Sequence, residues 1–503
     1  MDRSFRRLPV LTAVAPPQAV VGYSTLMVDG TSLGGSITVG GVAQLKTTDT
    51  ATQIVTAPLQ PTTPPGTQPV VVTTTAGASN ALNVTVLAPF RISSVTAPSS
   101  TTVEVTFNRP PAAATVTPAR FTIAGLTVLA ATASGAVVTL RTGFQSGGRT
   151  YTLVPSSALT DLLGAPLETS PQPTFTGFGA PLPTEFVLSI TGDGSALTTS
   201  VSWPIKLERR SLSAPAVVTA TVQLPTSAPE PITVVGANAY EGAISRSTDG
   251  TRLVVTGYQQ DANVSTSTAA TWVRVVAIID AADFSNAAGI DQSRKLGTLS
   301  GASVRSTVLN GTDLWLGTNV SGVLATSTGA GSMLTAVTPG YNVRRVGIVD
   351  GQLYATTTGN PGDGLFAIGA GLPMSSGALP TLVFANPTST GFALFDVDPN
   401  EPGPDLLYVT DDGTALPNGL KRVVKSAGNW SVAAVFSPPV NQLACYRDDV
   451  DVVCVACAGL TCHLFRDVST STPSGALPAS FQTFSTTAPN NFRFRGVALA
   501  PTP

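Results

Sequence analysis

The sequence predicts an all-β protein that consists of two β-sandwich domains followed by a β-propeller. Short runs rich in Val and Thr recur along the chain, and 47 Gly and 40 Pro interrupt them. Because β-branched residues favour strands and Gly and Pro mark turns, this composition predicts strands joined by short turns. The third observation is a repeated unit of short strands in residues 181–503, which is typical of a propeller.

Residues 1–88 form the first predicted domain. Segments such as ITVGGVAQL and PVVVTTTAGASNALNVTV alternate strands with Gly or Pro turns about every ten residues, which is typical of a β-sandwich. This domain resembles the IPT/TIG immunoglobulin-like domain, and the matching residues are Pro16-Pro17, Gly22, Val28–Leu33, Thr38–Gly41, Gly66 and Ser79-Asn80. The resemblance implies a spacer or an adhesive module that brings no catalytic residue.

Residues 89–180 form the second predicted domain. Its strands include TTVEVTFNRPP, and its later segments include GGRTYTL and LTDLLGAPL. These three segments resemble the bacterial Ig-like domain that is common in surface-layer and surface-anchored proteins. The resemblance again implies a spacer or an adhesive module that brings no catalytic residue.

Residues 181–503 contain a repeat of strand, polar Gly or Asp turn, and strand, with two further strands after each copy. The copies are GAISRSTDGTRLVVTGY (242–258), SVRSTVLNGTDLWLGT (303–318), NVRRVGIVDGQLYATT (342–357), GFALFDVDPNEPGPDLLYVT (391–410) and NQLACYRDDVDVVCVA (441–456). A sixth unit combines the C-terminal strand at 492–501 with strands within 184–226. This combination closes the ring without an open edge. The sequence therefore predicts six blades, with seven as the alternative.

The propeller region also resembles a family of uncharacterised secreted bacterial β-propellers. The matching phrases are DGQLYATT (350–357), GAGLPMSSG (369–377), PGPDLLYVTDDG (402–413) and FRGVALAP (494–501). This resemblance implies the fold and an extracellular location, and it implies no activity.

The charge of the chain excludes one class of partner. Charged residues make up 11% of the sequence and the formal net charge is −2. Without a basic excess, binding to nucleic acid lacks its main energetic contribution. No apolar run is long enough to span a membrane. Residues 1–14 show no signal peptide, but the low charge and clustered cysteines favour an extracellular or cell-surface protein.

All four cysteines and the only histidine, His463, lie within Ala444–Phe465. Two predicted hairpins cover this segment, with turns at Asp449-Val450 and Gly459-Leu460. Facing residues of a hairpin have Cβ atoms about 4.5–5.5 Å apart, close to the span of a disulfide. The facing pairs are Cys445 with Cys454 and Cys457 with Cys462. The sequence therefore predicts two disulfides.

Two other interpretations of the cysteines are weaker. A single zinc site is disfavoured because Cys454 and Cys457 tend towards opposite faces of their strand. The segment CAGLTCH is a stretched relative of the C-x-x-C-H haem motif, but it lies in a tight predicted hairpin. A catalytic triad would require His463, and no G-x-S-x-G is present, so a surface or blade-packing histidine is favoured.

Four predicted inner strands carry an arginine: Arg246, Arg305, Arg344 (with Arg345 beside it) and Arg495. Inner strands line the central channel of a propeller. The four arginines are therefore candidate binding residues for a carboxylate, a sulfate or an acidic sugar. The alternative is that they pair with acidic side chains or backbone carbonyls between blades.

A candidate metal site lies in the run DVDPNEPGPD at 396–405. Asp396, Asp398 and Asn400 are spaced two residues apart, and Asp405 follows. Alternating oxygen donors in a turn suit Ca²⁺, although the Gly and the distal Glu of an EF-hand loop are missing. The favoured alternative is an acidic turn between two strands. No other cofactor is expected.

The preferred functional hypothesis is a non-enzymatic extracellular or cell-surface protein that acts in adhesion, in glycan or protein binding, or in envelope structure. Aromatic residues make up 6% of the chain and Asp plus Glu total 29, which disfavours an enzyme that needs clustered carboxylates and aromatic platforms. One alternative is a propeller hydrolase or lyase that acts on a polysaccharide. Another is a subunit of a filament or surface layer that self-associates through the Ig-like domains. No catalytic residue is assigned.

Overall fold

The computed structural model describes residues 7–179, 182–195, 197–236, 240–284, 290–329, 332–398, 401–411, 419–436, 440–448, 451–467, 482–485 and 491–502. Nearly all regular structure in these residues is β-strand, so the predicted all-β class is confirmed. Short 3₁₀ turns lie at Ala113–Thr115, Pro118–Arg120, Thr266–Thr271, Ala281–Phe284 and Leu299–Gly301. Within the described ranges, no helix is long and apolar enough to cross a bilayer.

The chain divides into two compact units. The first consists of Met1–Gly143 and Thr150–Thr176, and the second of Phe144–Arg149 and Gly177–Pro503. The strands of the first unit are β1 (Val10–Ala15), β2 (Gln18–Val20), β3 (Met27–Thr31), β4 (Ser36–Val39), β5 (Val42–Ala43), β6 (Lys46–Asp49), β7 (Gln53–Thr56), β8 (Gly66–Thr74), β9 (Gly77–Ala78), β10 (Leu82–Leu87), β11 (Ile92–Ser99), β12 (Thr102–Phe107), β13 (Phe121–Ile123), β14 (Val128–Ser134), β15 (Val137–Thr142), β16 (Thr150–Pro155) and β17 (Thr174–Thr176).

The first unit contains two pairs of sheets. Sheets β1-β3-β7-β6 and β2-β10-β8-β4-β5 share one apolar core, to which Val28, Ile54 and Val70 contribute. Sheets β11-β12-β15-β14 and β13-β16-β17 share a second core around Phe107 and Tyr151. Each core consists of the inward-facing residues of two sheets, and these residues alternate with outward-facing ones along each strand, as in a β-sandwich. The domain boundaries and the Ig-like family resemblances stay predictions.

The second unit contains the remaining strands. They are β18 (Glu185–Thr191), β19 (Ser202–Ser211), β20 (Val218–Gln223), β21 (Thr233–Val235), β22 (Ile244–Arg246), β23 (Arg252–Tyr258), β24 (Arg274–Asp280), β25 (Asp291–Gly297), β26 (Val304–Asn310), β27 (Asp313–Thr318), β28 (Val323–Ser327), β29 (Thr335–Ala336), β30 (Val343–Val349), β31 (Gln352–Thr357), β32 (Gly364–Ile368), β33 (Pro380–Ala385), β34 (Ser389–Phe395), β35 (Leu406–Asp411), β36 (Gly419–Ser426), β37 (Asn429–Phe436), β38 (Gln442–Asp448), β39 (Asp451–Ala458), β40 (Thr461–Asp467), β41 (Gln482–Ser485) and β42 (Arg493–Leu499).

These strands form a β-propeller. Consecutive antiparallel strands make the four-stranded sheets β26-β27-β28-β29, β30-β31-β32-β33, β34-β35-β36-β37 and β38-β39-β40-β41. The remaining nine strands form one sheet that contains two further sets of four. In one set, β42 pairs with β18, β18 with β19, and β19 with β20; in the other, β22 pairs with β23, β23 with β24, and β24 with β25. Strand β21 pairs with both β19 and β23 and so joins the two sets. The first strand of each sheet contacts the first strand of the next, in the order β22, β26, β30, β34, β38, β42, and β42 contacts β22. We call these strands the inner strands.

The burial of each strand follows from its place in the sheet. The second strands β23, β27, β31 and β35 are buried on both faces because neighbouring sheets cover them. Their sequences are accordingly continuous apolar runs such as LLYV. The outer strands β33 and β37 are largely exposed. Between β30 and β31, Asp350 and Gly351 form a two-residue turn with φ of 47° and 73°, the left-handed pair that Asp-Gly favours in hairpins.

Candidate binding site at the arginine end of the inner strands

The inner strands run in the same direction, so their first residues meet at one end of the ring. Ser245 donates to the carbonyl oxygen of Thr307, and Thr248 N donates to Leu309 O at 3.0 Å, which sets β22 and β26 parallel. We call the end where the inner strands begin the arginine end, and its residues are Tyr240, Glu241, Arg305, Arg344 and Arg495. We call the end where they finish the carboxylate end, and its residues are Asp350, Asp396, Asp398, Asp405 and Arg447.

Two arginines from neighbouring blades share one aromatic ring at the arginine end. The guanidinium carbon of Arg344 lies 3.8 Å from the Tyr240 ring centroid, and that of Arg305 lies 5.3 Å from it. Both distances are in the range of a cation–π contact. All three side chains are half-buried, so solvent reaches the cluster.

A chain of neutral side chains also connects the two arginines. Arg305 Nη1 donates to Asn342 Oδ1 at 2.6 Å, and Asn342 Nδ2 donates to Thr358 Oγ1 at 3.0 Å. Arg344 Nε donates to the same Thr358 oxygen at 3.3 Å. In the described structure, Arg305 Nε and Arg344 Nη1 are buried and have no hydrogen-bond acceptor. The site therefore holds two fixed cations with unused donors.

Glu241 is the carboxylate beside these cations, and its oxygens are already engaged. Its Oε2 accepts from Val235 N at 3.0 Å, and its Oε1 accepts from the Tyr258 hydroxyl at 2.7 Å. Burial, followed by the charge of Glu241, raises the pKa of Tyr258. Burial, followed by the charge of Arg344, lowers the pKa of Arg305 to about 10, so Arg305 remains a cation at neutral pH.

The other predicted arginines have different surroundings. Arg495 lies close enough to Glu241 to feel its charge, and burial lowers its pKa, while its Nη2 donates to Gly236 O at 3.1 Å. Arg246 is further along its strand, where it donates to Gly250 O and to Thr502 Oγ1, each at 2.9 Å. The structure thus groups Arg305 and Arg344, places Arg495 beside Glu241, and leaves Arg246 apart from them.

Arg345 crosses the ring. Its Nη2 donates to Ile244 O at 2.8 Å, although β22 and β30 are not adjacent in the cycle of inner strands. Burial lowers the pKa of Arg345 to about 10. The Arg345 side chain therefore reaches past β26 to the inner strand β22.

The carboxylate end holds the predicted calcium ligands. Asp405 Oδ1 accepts from Val397 N at 2.9 Å, and its Oδ2 accepts from Asp398 N at 2.5 Å, so this carboxylate closes the turn before it. Among the described residues, no group of three His, Cys, Asp or Glu side chains is placed to hold a metal ion. Asn400 lies outside the described residues. The calcium site stays a prediction.

Among the carboxyl groups at the carboxylate end, Asp396 has the most strongly raised pKa. Burial, together with the charges of Asp405 and Asp350, raises its pKa to about 7, and its Oδ1 has no hydrogen-bond partner in the described structure. Burial also raises the pKa of Asp405 to about 6. Arg447 donates from Nη1 to the backbone oxygen of Asp396 at 2.6 Å, and its guanidinium lies 3.9 Å from the Phe144 ring centroid.

The prediction of disulfides is confirmed. Cys445 is joined to Cys454 and Cys457 to Cys462, in facing positions of the strand pairs β38-β39 and β39-β40. His463 is 6% exposed, with its Nδ1 3.1 Å from Thr483 Oγ1 and its ring edge-on to Phe436. It therefore packs between its own blade and the neighbouring blade that carries Phe436.

Sequence reasoning did not find Tyr240, Asn342 or Thr358. Tyr240 precedes β22 in a loop and carries no motif. A signal for Asn342 exists, because the repeats SVR at 303–305 and NVR at 342–344 place a polar residue two positions before each arginine. Arg305 and Arg344 contact the Tyr240 aromatic ring, however, only when the three blades that carry these residues are packed together.

No protein-family model and no curated protein matches this chain. Similar solved structures include the N-terminal part of the bacterial S-layer protein SbsC, with 24% identity, 38% of this chain and 44% of that chain covered, and a TM-score of 0.18. This chain therefore matches less than half of that S-layer structure. TolB from Acinetobacter baumannii has 9% identity, 64% and 68% coverage, and a TM-score of 0.39. The Cps50 (Swd1) β-propeller domain of Myceliophteria thermophila has 11% identity, 59% and 88% coverage, and a TM-score of 0.33. With scores this low, the propeller assignment rests on the strand pairing described above.

Proposed function

We propose that this protein is a non-enzymatic extracellular or cell-surface binding protein that holds its ligand at the arginine end of a six-bladed propeller. The observation that carries the proposal is the pair Arg305 and Arg344, which share the Tyr240 ring and each retain a buried donor without an acceptor. A buried donor without a partner is destabilising by about 1–3 kcal/mol. A ligand that supplies the acceptor removes this penalty.

The blade count is supported by the order of the inner strands. Each of β22, β26, β30, β34, β38 and β42 contacts the next, and the last contacts the first. Pairing of the C-terminal strand β42 with β18 joins the two ends of the second unit in one sheet. A closed ring of this kind leaves no inner edge open to other chains.

The proposed location is supported by the disulfides, because such bonds persist in oxidising compartments. The two sheet pairs of the first unit support modules of the Ig-like kind, each with its own core. Modules of this shape act as spacers or adhesive arms. Their partner would be a surface glycan, a protein or a second copy of the chain.

One observation favours the alternative of a polysaccharide-active enzyme. Asp396 has a pKa raised to about 7, which suits a general acid at neutral pH. A glycoside hydrolase, however, needs a second carboxylate, and the nearby Asp405 accepts two backbone N–H groups. The binding role is therefore preferred.

A glycan array combined with a turnover assay tests the proposal. The full chain should bind a subset of glycans, and Arg344→Ala should remove this binding while Asp396→Asn retains it. No bound polysaccharide should gain reducing ends or unsaturated products during incubation. If turnover occurs and Asp396→Asn abolishes it, the protein is an enzyme and the proposal is wrong.

A further inference from the structure

The chemistry of the arginine end defines the class of ligand more narrowly. We infer that the site takes a carboxylate-bearing polysaccharide and that Arg305 and Arg344 together hold the carboxylate of one uronic acid unit. This inference rests on the proposed binding function and adds the ligand class and the residues that select it.

The two guanidinium groups are held in place before any ligand arrives. Arg344 is stacked on Tyr240 at 3.8 Å, and its Nε is bonded to Thr358. Arg305 is fixed through Asn342, which is itself bonded to Thr358. Because these contacts limit the motion of both side chains, binding loses little conformational entropy.

The unused donors match a group with two oxygens. Arg305 Nε and Arg344 Nη1 come from different blades, and each lacks an acceptor among the described residues. A planar carboxylate offers one oxygen to each, which forms two charge-assisted hydrogen bonds. Its negative charge also relieves the repulsion between the two cations, which Glu241 does only in part since both its oxygens are engaged.

The neutral groups around the arginines favour a sugar over an acidic peptide. Asn342, Thr358, Ser303 and Asn319 lie at the same end of the ring, where Ser303 N donates to Asn319 Oδ1 at 2.8 Å. Hydroxyl and amide side chains both donate and accept hydrogen bonds, which suits the hydroxyls of a pyranose ring.

Binding of defined polymers to the full chain tests this inference. The ligands are polygalacturonate, its methyl ester, dextran sulfate and polyglutamate, compared by affinity electrophoresis and by calorimetry with short oligomers. The methyl ester removes the charge and keeps the sugar, so it should bind at least about tenfold more weakly. Arg305→Gln and Arg344→Gln should each weaken polygalacturonate binding about tenfold, and the double variant about a hundredfold.

The matched control is Arg252→Gln. Arg252 is also half-buried and also donates to a neighbouring blade, at Gly311 O with 2.8 Å, but it lies away from the arginine end. Its substitution should leave the affinity unchanged. Should the site variants fail to fold, competition in the wild-type protein by free galacturonate, with methyl galacturonate as the inactive comparison, gives the same discrimination.

The outcomes separate the inference from the proposed function. Equal binding of polygalacturonate and its methyl ester, or preference for dextran sulfate or polyglutamate, overturns the uronate assignment and leaves a binding protein. Binding only to neutral glycans on the array does the same. If the array shows no ligand of any kind, the proposed function fails together with the inference.

Discussion

The two ends of the inner strands both crowd groups of like charge, but they respond differently to pH. At the arginine end, burial lowers the pKa of Arg305 to about 10, which is still far above neutrality. At the carboxylate end, burial and neighbouring carboxylates raise the pKa of Asp396 to about 7 and burial raises that of Asp405 to about 6. The same desolvation thus leaves one end permanently charged and makes the other sensitive to protons.

This difference follows from the ordinary pKa of each group. A guanidinium begins so far above neutral pH that a large shift does not discharge it, whereas a carboxyl group begins a few units below. A ring that needs a lasting positive site therefore uses arginine. Asp467, which forms a buried ion pair with Arg422, provides a contrast to Asp396.

The largest expected effect concerns Asp467, a paired carboxylate in the blade next to Asp396. Asp467 Oδ2 lies 2.9 Å from Arg422 Nε and accepts from the Tyr408 hydroxyl, and all three side chains are fully buried. Asp467→Ala should destabilise the propeller by about 3–5 kcal/mol, because a buried cation loses its counter-ion. Urea unfolding followed by tryptophan fluorescence measures this, since Trp203, Trp272, Trp315 and Trp430 are all in the second unit.

Asp448→Ala is the control for that variant. Asp448 pairs with Arg466 at 2.7 Å, but their side chains are 33% and 45% exposed. An exposed ion pair contributes at most about 1 kcal/mol. If the two variants lost equal free energy of unfolding, burial would not explain the contribution of Asp467 to stability.

Removal of a disulfide has the next largest expected effect on stability. Cys457–Cys462 ties the hairpin that turns beside Phe494 at the arginine end, where Phe494 N donates to Gly459 O at 2.8 Å. Removing either disulfide by paired Cys→Ala substitution should destabilise the propeller by about 2–3 kcal/mol, since each closes a short loop. The measurement is the same urea transition, after peptide mapping under non-reducing conditions. Unchanged midpoints would refute the stabilising role.

The pH dependence of stability tests the carboxylate end directly. Since the folded pKa of Asp396 lies above its unfolded value, the folded state binds the proton more tightly. Stability should therefore be greatest below about pH 4 for this group and should fall as the pH rises through 7, by about 1–2 kcal/mol after allowance for partial exposure. Asp396→Asn should flatten the profile between about pH 4 and pH 7. An unchanged profile in this variant would assign the dependence to other groups.

The smallest expected effect concerns Tyr240. Tyr240→Leu keeps an apolar side chain but removes the ring that Arg305 and Arg344 share, so it should lower stability by about 1 kcal/mol. Thermal unfolding checks this, and Tyr23→Leu on the exposed surface of the first unit is the matched control. A loss as small as that of the control would mean that the ring does not stabilise the cations.

Local sequence was sufficient for the features that depend on neighbours along the chain. The disulfides could be predicted because hairpin register fixes which residues face each other, and register needs only the turn positions. The propeller could be predicted because each repeat is a short antiparallel unit with its own turns. The arginines could be assigned to inner strands for the same reason, since Arg305 and Arg344 occupy equivalent places in consecutive repeats.

The chemistry of the two ends was decided by tertiary structure. Arg246 lies on an inner strand like Arg305, but it is further along that strand and donates to a backbone oxygen and a hydroxyl. The Asp405 carboxylate accepts two backbone N–H groups. Tyr240 meets its arginines only after three blades pack side by side. The sequence by itself determined the strands, their order and the covalent ties, because these arise from contacts close along the chain. Which charges are neutralised and which remain available depends on residues far apart in sequence, and only the closed ring brings those together.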